Sequence, residues 1–115
     1  WSLKDVVGHM ADCESAYSYR AFRIARGDET PLPGFDQNVY VLSANAGARP
    51  LRALVDEFET VRRATLSLVR DLDAEAGGRR GMVSEMPMTV RALVYIAAGH
   101  ERHHRALLRE RYGVV

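Results

Sequence analysis

Apolar positions recur every three or four residues over three separate stretches of the chain. In the first, residues 2–26, Leu3, Val6, Met10, Cys13, Tyr17, Ala21 and Ile24 trace one stripe, the spacing of an α-helix that buries one face. Ser2 with Asp5 three residues on approaches a capping box, and Gly27 follows as a C-terminal stop. The second stretch, 51–73, opens behind Pro50 and carries Leu51, Leu54, Phe58, Val61, Thr65, Leu68 and Leu72 on one face, with Arg52, Glu59, Arg63 and Arg70 elsewhere. The third, 89–111, takes Thr89 as N-cap behind Pro87 and runs through Leu93, Ile96, Ala97, His100, His104, Leu107 and Leu108. The pattern predicts three helices.

The segment 27–50 holds Pro31, Pro33, Gly34, Gly47 and Pro50. It is too long for an ordinary helix connection and predicts a crossover or functional loop, with a short helix within 35–46. Gly77, Gly78 and Gly81 mark a second loop. No strand alternation extends beyond a few residues, and there is no repeat or low-complexity tract, so the fold class is all-α. At 115 residues and 47% hydrophobic content the chain fits one domain, residues 1–115. Stripes on three helices call for a fourth surface. Either a helix precedes Trp1, where the chain opens without an initiator Met and directly on a helix start, or a second copy covers the face as a homodimer. Tyr17, Phe22 and Phe58 are the residues expected at that contact.

Charge narrows the functional classes. Sixteen Lys and Arg against 15 Asp and Glu give a net charge of +1, and the signs are interspersed, so nothing recommends a nucleic acid or a membrane surface as partner. No apolar run approaches the ~20 residues of a membrane span, and no leader segment is visible. Cys13 is the only cysteine, which rules out an intrachain disulfide and fits a reducing cytoplasm.

The candidate chemistry lies in the histidines. His100 and His104 are one turn apart, with rings about 40° apart around the helix axis, and can share one metal ion. They also stand where apolar residues would face the core, and an unsatisfied buried ring nitrogen costs roughly 1–3 kcal/mol. His9 lies at the margin of the first stripe, ~10 Å from that helix's start, while the pair lies ~10–15 Å from the end of the last helix. Antiparallel packing of the two helices would bring all three rings to one level. His103 points about 100° away from His104, so His104 is the expected ligand and His103 an outer residue at the mouth. Cys13, one turn past His9, is read as a small buried core residue.

His100-Glu101-Arg102-His103-His104 also spells the H-E-x-x-H of zinc proteases. The longer protease signature would need glycine and a further ligand where Leu107 and Glu110 stand, and such enzymes contain strands. Glu101 is therefore read as a solvated or outer residue rather than a protease base.

Trp1-Ser2-Leu3-Lys4-Asp5-Val6-Val7-Gly8-His9, the stretch from Arg20 to Asp28, and Gly99-His100-Glu101-Arg102-His103-His104 together resemble the DinB-like (DinB/YfiT) superfamily of metal-dependent enzymes over nearly the whole chain. The resemblance implies a four-helix bundle in up-down-down-up order, its long middle connection being 27–50. This chain starts where that family's second helix begins, so the first helix is absent. The resemblance also implies His9, His100 and His104 as the metal triad, in agreement with their spacing. Relatives in that family include thiol-dependent transferases and isomerases that use bacillithiol, mycothiol or glutathione, beside members with no assigned reaction.

The expected cofactor is thus a divalent ion, zinc or nickel first, then iron or manganese. Three neutral nitrogen ligands leave open positions, as at catalytic sites, where an entering thiol is held as the nucleophilic thiolate. The expectation is a metal-dependent thiol S-transferase or hydrolase-like enzyme with a small-molecule thiol and an electrophile as substrates. The alternative is a non-enzymatic, stress-related protein whose metal is structural. Non-haem iron oxidation is disfavoured, because no carboxylate joins the triad. The site is expected to open near the His9 end of the first helix with the 27–50 loop as a wall, and His103, Tyr40 and Asp36 orienting the substrate.

Overall fold

The computed structural model describes residues 1–114 and is an all-α bundle built on three long helices, α1 (Leu3–Ala25), α3 (Leu51–Arg70) and α5 (Val90–Tyr112). The helix starts are those the sequence marks. Ser2 accepts from Asp5 N while Asp5 accepts from Ser2 N, a complete capping box, and Thr89 accepts from Ala92 N. Gly27 follows α1 with φ 79°, a conformation glycine adopts without a Cβ penalty.

Helix directions follow from which residues meet. His9 of α1 reaches His100 of α5, and the Tyr112 hydroxyl donates to the Trp1 carbonyl, so α1 and α5 run antiparallel. Glu14 meets Arg62, and Gly8 lies beside Leu54, so α1 and α3 run parallel. A parallel pair needs a crossover, which is what residues 27–50 provide. These directions match the last three helices of the expected up-down-down-up order. Within the crossover lie a short helix α2 (Gln37–Ala44) and a single 3-10 turn (Ala46–Ala48), both placed against α1.

The connection between α3 and α5 departs from the expected plain loop. A short helix α4 (Ala74–Gly78) leads into a hairpin of β1 (Arg80–Val83) and β2 (Met86–Thr89), joined by Ser84 and Glu85 at φ 50° and 66°. Two consecutive positive φ values give the turn whose twist suits a two-residue hairpin. Leu32 lies alongside Val83, bonded through Leu32 N to Met82 O and Ser84 N to Leu32 O, which ties the start of the crossover to the hairpin. Gly81 permits the close approach to α1, since a Cβ there would lie 2.7 Å from Ile24 Cγ1.

The main apolar core gathers Ala21, Ile24, Ala25, Leu32, Val83, Val90 and Leu93, with Leu68, Leu72 and Met88 at its edge. It occupies the end of the bundle where α1 finishes and α5 begins. The opposite end holds the polar groups that carry chemistry. On α3 only Leu54 and Thr65 of the expected stripe are buried, while Phe58, Val61 and Leu68 are half-buried and Leu51 is exposed. No helix among the described residues is long and apolar enough to cross a membrane.

Candidate metal centre

Antiparallel packing of α1 on α5 brings His9, His100 and His104 together. His9 Nε2 lies 3.1 Å from His100 Nε2, and His104 Nε2 lies 3.1 Å from the same atom. The His9 and His104 ring centroids are 4.9 Å apart. His9 and His104 are buried and His100 is half-buried. The sequence placed His9 at the margin of its stripe; the structure leaves it 4% exposed, because Trp1 packs over it with ring centroids 4.8 Å apart.

Hydrogen bonding within the cluster does not account for this arrangement. A neutral imidazole nitrogen is either one donor or one acceptor, yet His100 Nε2 faces two like atoms. It can satisfy one of them. A cation shared among the three nitrogens would use all three lone pairs. His104 Nδ1 is buried without a partner, so that ring's polar engagement is entirely through Nε2, towards the cluster. The donor set therefore fits a divalent ion.

Cys13, assigned to the core by sequence, is buried but also belongs here. Its Sγ lies 3.6 Å from both ring nitrogens of His9, and His9, Cys13 and His100 offer ligand atoms within 4.8 Å of one another. Burial pushes the thiol up to about 11, reinforced by the charge of Asp12. His103 is exposed, with its ring 5.1 Å from His104. Tyr17 stands edge-on to His100 at 5.6 Å. Asp36 is used as the N-cap of α2, accepting from Asn38 N and Val39 N, and Tyr40 stacks on Phe35 at 4.5 Å. Trp1 is shared between the cluster and a cavity of about 610 Å³ that Ser2, Asp5 and residues of α2 also wall.

One feature was hidden from the helical pattern. Arg62 of α3 donates Nε and Nη2 to the two carboxylate oxygens of Glu14 at 2.9 and 3.1 Å, and Nη1 to Glu101 at 3.0 Å. This knots all three long helices next to His100, and Glu14 is only 2% exposed. Periodicity assigns charged residues to solvent. A pair such as Glu14 and Arg62, 48 positions apart, gives no local signal.

Burial holds the histidines neutral, as metal ligands must be. Desolvation, followed by repulsion from neighbouring rings, lowers His100 and His104 to about 4, and desolvation lowers His9. The unfolded chain, with histidine pKa near ~6.5, takes up protons first on acidification. The contribution of these histidines to the stability of the metal-free protein is thus complete above about pH 6.5 and declines towards about pH 4, where the folded state itself titrates. Urea unfolding at stepped pH should show this decline between those limits, and a flat profile there would contradict it.

A family profile described as the DinB superfamily matches residues 1–108. No curated protein and no solved structure matches the chain.

Proposed function

The chain belongs to the DinB superfamily, and from that premise we propose that it binds one divalent ion through His9, His100 and His104 and uses it to activate a small-molecule thiol for transfer to an electrophile. The observation that carries this reading is the approach of His9 Nε2 and His104 Nε2 to the one atom His100 Nε2, at distances their own hydrogen bonding does not satisfy. The ion, zinc or nickel by ligand chemistry, would supply Lewis acidity that lowers the pKa of a coordinated thiol. The residues contribute the rest: neutral ligands, a cover from Trp1 that limits water, and an approach past half-buried His100 and Tyr17. A cavity walled by α2 lies against this Trp1 cover. The reading takes the chain as one domain working in the cytoplasm as a homodimer. Phe22, among the residues expected at that contact, is 43% exposed, beside Tyr19 at 56%.

A second reading rests on Cys13. As a fourth ligand its thiolate would close the coordination sphere and make the metal structural, in a protein without catalysis. Cobalt substitution separates the two. Under the first reading a sulfur-to-cobalt charge-transfer band arises only when an external thiol is added, and thiol transfer to a panel of electrophiles exceeds that of the His100→Ala variant. A band already present in the protein alone, together with background rates across the panel, would replace the first reading by the second.

A further inference from the structure

We propose that Arg20 receives an anionic oxygen group, carboxylate or phosphate, on the ligand that the histidine cluster binds. Arg20 is 8% exposed, yet among the described residues it forms no ion pair. Its one hydrogen bond runs from Nη2 to the Pro33 carbonyl at 3.0 Å, and its guanidinium lies over the Phe35 ring at 5.5 Å. Buried charges are normally paired, and a guanidinium has five N–H donors in a fork that matches a carboxylate or phosphate. Three acids of α1 and the crossover are committed elsewhere: Glu14 to Arg62, Asp28 to Arg23 and Thr30 N, Asp36 to the cap of α2. A cation so placed lacks its counter-ion among the described residues.

Its position gives the missing anion a context. Arg20 follows His9 by 11 residues, within ~20° of three full helical turns, so both stand on one side of α1, about 16 Å apart along its axis. Tyr17 lies between them and touches the cluster through His100. The Arg20 charge reaches Cys13 and Tyr17, where it opposes the upward push of burial. The Phe35–Tyr40 stack holds the crossover beneath the guanidinium. This strip of α1 therefore carries a metal-binding set at one end and an unpaired guanidinium at the other. It suits an elongated ligand with a soft donor at one end and an anionic oxygen group at the other. Taking the cluster as the reactive end rests on the function proposed above.

The test avoids the metal. In isotope-labelled, metal-free protein the Arg20 Nε–Hε resonance is followed by NMR while acetate and inorganic phosphate are added separately at constant ionic strength. Arg20 should shift saturably with at least one of them, at concentrations at least about tenfold below those that move exposed arginines such as Arg26 and Arg102, because the fork is pre-positioned. The anion that saturates first names the group. Arg20→Lys, which keeps the charge and a donor for Pro33, should weaken that binding by about tenfold or more through loss of the fork. An Arg20 signal that stays still, or moves only in step with every other arginine, overturns the inference, as does unchanged binding in Arg20→Lys. Loss of cobalt binding would instead count against the metal reading and leave this result standing.

Discussion

Replacing His100 by alanine is expected to abolish divalent-ion binding, with affinity in a zinc or cobalt titration falling by more than about 100-fold. Even outer partners of metal ligands are worth about 10–100-fold, and His100 Nε2 is the atom both other rings approach. His104→Ala should act in the same direction. His103→Ala should leave affinity within a few fold, because the His103 side chain is exposed outside the cluster. Helical circular dichroism should survive in all three variants, since the main apolar core lies at the other end of the bundle. The assignment fails if His103→Ala proves as damaging as His104→Ala, or if His100→Ala binds as well as the parent.

Arg62→Ala is expected to cost about 3–5 kcal/mol of folding stability, the range for leaving a buried charge without its partner. Glu14 would lose both bonds of a bidentate pair while remaining 2% exposed, and Glu101 would lose its tie to α3. Arg62 itself is 25% exposed, so water reaches the site and the lower end of the range is expected. Against a domain total of about 5–15 kcal/mol that is a large share. Removing both charges, in Arg62→Met with Glu14→Gln, should recover much of the loss, because no unpaired ion is left behind. Urea unfolding of the metal-free variants measures both. A loss below about 1 kcal/mol in Arg62→Ala, the scale of an exposed ion pair, would mean the network is solvated.

The sequence was informative where one period dominates. The stripes from Leu3 to Ile24 and from Leu51 to Leu68 are helical in the structure, and the caps at Ser2 and Thr89 lie where side-chain oxygens precede an apolar run. His100 and His104 were legible as candidates because one turn relates them. His9 needed the further assumption that α1 and α5 pack antiparallel. The hairpin escaped notice because each strand has four residues and only Val83 is fully buried, too short a run to show alternation. Cys13 read as core because burial and proximity to a histidine cluster look identical in a pattern. The Glu14–Arg62–Glu101 knot and the lone guanidinium of Arg20 were illegible for a shared reason: pairing across helices depends on three-dimensional register, and polar residues on a helix read as solvent-facing by default.

His9 and His100 are 91 positions apart, so an ion gripping both would close almost the whole chain into a ring. A covalent cross-link over a loop that long restricts the unfolded chain by about 4–5 kcal/mol, and a coordinate link differs in being reversible. Stripping the ion would reopen that ring, so the stability lost with it should be felt across the long stretch of chain between the two histidines and not only at the helix pair that holds the site.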